Sequence, residues 1–212
     1  LNHNSYSNRL DPRDKIMNEH GTAQPVTDRA QLIEWFAEKG KPKSAWRIGT
    51  EHEKFLFHKG SFKPVAYEGA QGVGELLRLL KEQHDMQPII ERGYIIGLKS
   101  DDGGSITLEP GGQFELSGAP LASLHETCSE TGSHLRQMRD ITQQLDLCML
   151  GVGFQPLWQR DDISWMPKGR YKIMREYMPK RGKLGLDMML RSCTVQVNLD
   201  YEDERDMVRK FR

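Results

Sequence analysis

The sequence predicts an α+β fold, and three observations carry that prediction. Short strands of alternating polarity follow one another over residues 94–117, with Gly103-Gly104 and Gly111-Gly112 as their turns. Residues 192–200 alternate strictly, with Cys193, Val195, Val197 and Leu199 on one face and Thr194, Gln196, Asn198 and Asp200 on the other. Around these strands run segments with the 3.6-residue apolar period of amphipathic helices.

In chain order, residues 1–25 are polar and aperiodic, and read as a mobile tail. Residues 26–212 read as one domain, the N-terminal part of something larger. Thr27 is a suitable N-cap for a helix whose apolar residues are Leu32, Ile33 and Phe36, and Gly40 and Pro42 end it. Residues 46–57 form a strand with charge at its centre. Residues 74–83 form a helix. Strands follow at 94–99, 105–109 and 113–117. Leu121, Leu124, Cys128, Leu135, Met138 and Leu145 mark the apolar face of a long helix, and 147–154 is an apolar strand. Residues 169–178 make a short helix closed by Pro179, and a last helix begins near Tyr201. No cap closes it, which reads as a truncated chain.

Composition narrows the function. The chain has 212 residues, 37% of them hydrophobic, and a formal net charge of +0, so no bulk electrostatic attraction draws it to nucleic acid or an anionic membrane. No apolar run approaches the roughly 20 residues that span a bilayer. The polar start lacks the apolar stretch of a secretory signal. Cys128, Cys148 and Cys193 have neither metal-ligand spacing nor a disulfide framework. They are expected to be reduced, mostly buried core residues of a cytoplasmic protein.

Four segments carry candidate chemistry. In residues 49–55 (GTEHEKF), Glu51 and Glu53 stand two apart and so share one strand face, where oxygen ligands suit Mg²⁺. The same spacing fits a solvated strand face, but Ile48, Phe55, Leu56 and Phe57 place this strand in a core sheet, where charges need partners. In residues 106–118 (ITLEPGGQFELSG), Glu109 precedes a tight turn that brings Gln113 and Glu115 back on one face; an ordinary hairpin would look alike. The polar face of 193–201 offers amide side chains suited to a ligand or to solvent. In residues 166–180, Arg170 and Arg175 could grip a carboxylate and Lys168 and Lys172 a phosphate, or all could be a solvated basic face. There is no G-x-x-x-x-G-K-[ST] phosphate loop.

Taken together, RIGTEHEKF (47–55), IIGLKS (95–100), SITLEPGGQFELSGAPL (105–121), LGVGFQPLW (150–158), MPKGRYKIMREYMPK (166–180) and LGLDMMLRSCTVQVNLDY (184–201) resemble the glutamate–cysteine ligases of the plant and proteobacterial type. The resemblance implies a curved, mainly antiparallel sheet flanked by helices, the glutamine synthetase-like carboxylate–amine ligase fold, here incomplete. It implies ATP as co-substrate and Mg²⁺ as cofactor. The γ-carboxylate of glutamate would attack the γ-phosphate, and the amine of cysteine would attack the acyl phosphate, as the first step of glutathione biosynthesis. By matching motif, Glu51, Glu53 and Glu115 are the catalytic metal ligands, with Glu109 beside them. Gln196 and Asn198 face the metal–nucleotide cluster, and Arg170 and Arg175 are candidates for the glutamate carboxylate. Expected partners are glutamate, cysteine and ATP, with neither nucleic acid nor membrane; a homodimer is left open. Family members are markedly longer, so this chain is expected to be inactive alone. Two alternatives stay open: a ligase with another acceptor amine, or an inactive fragment that kept the fold.

Overall fold

The structure is a computed structural model that describes residues 25–212; the tail expected over residues 1–25 lies, but for Pro25, outside the described residues. The described chain forms two compact units. One is Lys41–Glu202, and the other joins the chain up to Gly40 with Asp203–Arg212.

The smaller unit holds helix α1 (Arg29–Glu38) and helix α6 (Glu204–Phe211). The cap of α1 is Asp28, one residue after the expected Thr27. Its carboxylate accepts from the Ala30 and Gln31 amides, and the Gln31 side chain returns to the Asp28 amide, a capping box. Leu32, Ile33, Trp35 and Phe36 on this helix are all half or more exposed. Asp203 caps α6 through the Asp206 amide.

The larger unit is built on a seven-stranded sheet in which all paired strands are antiparallel. Its strands are β1 (Ile48–His58), β2 (Gln87–Glu91), β3 (Tyr94–Lys99), β4 (Ser105–Leu108), β5 (Phe114–Ser117), β6 (Leu147–Leu150) and β7 (Val195–Leu199). Neighbours run β2-β3-β4-β5-β1-β6, and β7 also pairs with β1. The expected strands at 46–57, 94–99, 105–109, 113–117 and 192–200 are thus present, while the 147–154 strand ends at Leu150.

Strand β1 is the hub. Its first half pairs with β5 and β7, its second half with β6. Helices α2 (Val73–His84) and α3 (Leu124–Gln144) cover one sheet face. The core there joins Leu76, Leu77 and Leu80 of α2, Met138 and Ile141 of α3, and Leu98, Ile106, Leu108 and Phe114 of the sheet. Burial of such side chains contributes about 1.5–3 kcal/mol each. Helices α4 (Gly169–Tyr177) and α5 (Gly185–Arg191) complete the unit. Met178–Lys180 is a 3₁₀ turn that carries Pro179 just past α4.

Three expectations shift. The buried residues of α3 are His134, Met138, Ile141 and Thr142, while Leu124 and Leu135 are exposed. Leu124 sits in the first turn, before the helix reaches the apolar core, and Leu135 lies within the packed half but off the face that His134, Met138 and Ile141 bury. Likewise Val195, Val197 and Leu199 of β7, expected in the core, are exposed. The three cysteines are free thiols as expected, but Cys193 alone is buried; Cys148 is half-buried and Cys128 exposed.

Candidate active site

The sheet face opposite α2 and α3 carries the acids. Register fixes their placement: Glu53 of β1 lies directly across from Glu115 of β5, and Thr107 of β4 lies across from Glu115 on its other side. Cross-strand partners share a face, so Glu51, Glu53, Thr107 and Glu115 all project the same way. The Gly112 turn, at φ +82°, returns the chain from Glu109 into β5. Gln113 pins that turn. Its amide nitrogen donates to the Met189 and Ser192 carbonyls at 3.0 and 2.8 Å, and its oxygen accepts from the Gly111 amide at 2.9 Å.

Each carboxylate has its own partner. Thr107 donates its hydroxyl to Glu115. Thr194 donates its hydroxyl and its amide to Glu53, at 2.8 and 3.0 Å. Asn198 donates to Glu51 at 2.8 Å, and Gln196 donates to the Thr194 hydroxyl at 3.0 Å. Glu53 and Glu115 are buried, which is costly for charge without compensation. Glu109 reports the crowding. Burial first, then the charges of Glu115 and Glu53, push its carboxyl up to about 7, against the pull of Lys168 and Arg170.

Basic groups rim this acid face. Lys168 donates to the Leu108 carbonyl at 2.8 Å, and burial, with Arg170 nearby, pushes its ammonium down to about 8. Arg170 lies 3.9 Å from Glu109, and its guanidinium sits 5.2 Å from the Tyr171 ring centroid. Tyr171 in turn donates its hydroxyl to the Leu108 carbonyl. Arg175 is elsewhere, stacked 5.2 Å from the Trp165 ring centroid. Five residues along a helix turn the side chain by about 140°, so Arg170 and Arg175 do not converge on one carboxylate.

The structure therefore brings Glu53, Glu109 and Glu115 together with Lys168 and Arg170. It ties Glu51 to Asn198 and leaves Arg175 apart. Among the described residues no three acidic, histidine or cysteine side chains close round one point as a metal cage. The ligand atoms fit a hard oxygen-seeking cation in kind, since the buried carboxylates Glu53 and Glu115 face one another and, among the described residues, accept from neutral hydroxyl and backbone N–H donors. Tyr171 and Thr107 went unnoticed in the sequence; Tyr171 lay within the basic 166–180 segment, and the alternation of residues 105–108 would have placed Thr107 on the acid face.

The family model for glutamate–cysteine ligase family 2 matches residues 47–212, which takes in every strand and every residue of this site. The chain belongs to that family. Chloroplastic glutamate–cysteine ligases of Medicago truncatula, Brassica juncea and Nicotiana tabacum are 55%, 54% and 54% identical to it. The match to the Medicago protein covers 89% of this chain and 36% of that protein, so the chain spans little more than a third of such relatives. The expected cytoplasmic location is overturned by these relatives, which are named chloroplastic. Free thiols distinguish oxidising from reducing surroundings, not one reducing compartment from another. No helix among the described residues is long and apolar enough to cross a membrane.

Proposed function

We propose that the protein to which this chain belongs joins L-cysteine to the γ-carboxylate of L-glutamate at the expense of ATP, through γ-glutamyl phosphate. We assign residues 26–212 to the N-terminal part of its catalytic domain, with the glutamine synthetase-like carboxylate–amine ligase fold. The observation that carries the reading is the facing pair Glu53 and Glu115, with Glu109 alongside and Lys168 and Arg170 at the rim.

Phosphoryl transfer needs positioning and charge neutralisation more than a protein nucleophile. Bound Mg²⁺ would supply that neutralisation between the carboxylates and the phosphates of ATP. Glu51, Glu53, Glu109 and Glu115 would hold it. Thr194 and Thr107 orient Glu53 and Glu115 by hydrogen bonds from neutral donors, which leave the carboxylate charge in place. Lys168 and Arg170 place positive charge beside Glu109, where an anionic substrate group would lie. Gln196 and Asn198 stand on the exposed side of the site, open to further substrate contacts, while Arg175 lies apart from it on Trp165.

The test compares the 212-residue chain with the natural full-length protein. Phosphate release is measured with ATP, Mg²⁺, glutamate and cysteine, and with each omitted. The full-length protein is expected to require all four, and the short chain to show negligible turnover. Glu53→Gln or Glu115→Gln in the full-length protein should lower kcat by about 100-fold or more, the usual scale for losing a group that stabilises transition-state charge. Undiminished turnover in both variants, or equal turnover with other amines in place of cysteine, would sink the reading.

A further inference from the structure

On the helix-covered face of the sheet, away from the carboxylates of the candidate active site, lies a cavity of about 380 Å³. It opens between α3 and the β3–β4 turn. Ile106 and Leu116, which point away from Thr107 and Glu115 on their strands, form part of its floor. Its polar lining includes Asp102, Glu126, Ser129, Glu130, Ser133 and His134, and among the described residues no lysine or arginine lines it.

Three lining residues, His84, Glu130 and His134, have buried side-chain atoms with unused hydrogen-bonding capacity, and of these His134 is buried as a whole. His134 is 2% exposed, yet neither ring nitrogen has a partner among the described residues. Oε1 of Glu130 accepts from the Ala119 amide at 2.7 Å, while Oε2 is buried without a partner among the described residues. That carboxylate packs on Gly118, where a β-carbon would come within 2.5 Å of Oε2. An unpaired buried polar group costs about 1–3 kcal/mol.

We propose that this cavity binds a small organic ammonium ion, with the Glu130 carboxylate, a neutral His134 ring nitrogen and the hydroxyls of α3 as its acceptors. The charged groups in the lining are the acids Asp102, Glu126 and Glu130, with His84 and His134 as its histidines, while the Arg136 guanidinium, outside the lining, donates to the Ser133 hydroxyl at 2.9 Å. A primary ammonium has three N–H donors and no acceptor, which matches a lining of acceptors. Burial, reinforced by Lys54 and His52 on the same face of β1, pushes the His134 imidazole down to about 3, so the ring is neutral near pH 7 and offers a lone pair. Burial and the Asp102 charge push the Glu130 carboxyl up, so a cation between those two acids would be welcome. The site is independent of the ligase reading and would stand if that reading fell.

The experiment titrates the 212-residue chain at pH 7 with methylammonium chloride, following the His134 ring signals by two-dimensional ¹H–¹³C NMR. Tetramethylammonium chloride and sodium acetate at matched ionic strength are the controls. The expected result is a saturable shift with methylammonium alone, weakened at least tenfold by Ser133→Leu, which narrows the cavity beside His134, and by Glu130→Gln. Circular dichroism checks that the variants fold; should either unfold, the contrast among the three probes still decides. A linear response, an equal response to tetramethylammonium, or unchanged affinity in folded Ser133→Leu would show that the cavity holds water only and overturn the proposal.

Discussion

Strands β5 and β7 flank the same stretch of β1, and both pair antiparallel with it across Glu51 and His52. Both alternate polar and apolar residues. On β5 the apolar residues Phe114 and Leu116 are 0% and 6% exposed; on β7, Val195, Val197 and Leu199 are 73%, 57% and 53% exposed. Alternation fixes that a segment is a strand and which residues share a face. It does not say whether a layer lies over that face. Phe114 has α2 and α3 above it, and β7 has no comparable layer among the described residues. The same difference separates the polar faces. Glu115 is buried with its Thr107 partner, whereas the Asn198–Glu51 bond is exposed.

The largest test of this contrast compares Phe114→Ala with Val197→Ala in the 212-residue chain, by chemical denaturation. Phe114→Ala should cost about 3–5 kcal/mol, because a large buried ring leaves a cavity. Val197→Ala should stay within about 0.5 kcal/mol, as exposed substitutions do. Equal costs would mean that the apolar face of β7 is covered in solution.

A second test acts on the polar faces. Thr107→Val keeps the shape but removes the hydroxyl that serves buried Glu115, and should cost about 1–3 kcal/mol. Asn198→Ala removes an exposed partner of Glu51 and should cost under about 0.5 kcal/mol. If Asn198→Ala proves the more damaging, Glu51 rather than Glu115 is the carboxylate that depends on its neighbour.

The two flanks were also unequally legible. The strand patterns of residues 46–57, 105–109 and 113–117 specified β1, β4 and β5, because alternation and glycine turns are local. The two-residue period puts Glu51 and Glu53 on one face; Glu115 joins them in the sequence only through the family resemblance, and the register sets it across from Glu53. Strand β2 and helix α5 went unread: Gln87–Glu91 is short and holds a proline, and Gly185–Arg191 has under two turns in which to show a period. On α3 the expected face is buried only at Met138 and Leu145, with His134, Ile141 and Thr142 buried beside them and Leu124, Cys128 and Leu135 exposed. Which acid neighbours which depends on cross-strand register, and that is long-range. So the closeness of Glu109 to Glu53 and Glu115, and the divergence of Arg170 from Arg175, emerged only with the fold.

The smallest effect expected here is also the most specific to the β5 side, and it is a dependence on pH. Glu109 ordinarily titrates near 4.5 and is held up to about 7 in the fold. Between those values the unfolded chain has already lost the proton that the folded chain keeps. The folded state then binds more protons, so stability falls as pH rises through the window, and the loss is complete above about 7. Glu109 is 30% exposed and has Lys168 and Arg170 near it, so the effect should be on the order of 1–2 kcal/mol rather than the full value of the shift. His134 works against it. Its pKa falls from 6.5 to about 3, so its contribution makes stability rise with pH over that lower range. The two are separated by substitution. Below about pH 6.5 the two contributions oppose each other, so in chelator-treated protein Glu109→Gln should turn a nearly flat or shallow profile between pH 5 and 6.5 into a steeper rise, read from denaturation midpoints at half-unit steps. Adding Mg²⁺ to the unsubstituted chain should steepen the profile in the same way if the carboxylates of β1 and β5 gather a cation, because a cation favours the ionised form. A profile unchanged by Glu109→Gln would move the proton to another acid of the cluster, and Glu53 and Glu115 would then be the residues to substitute.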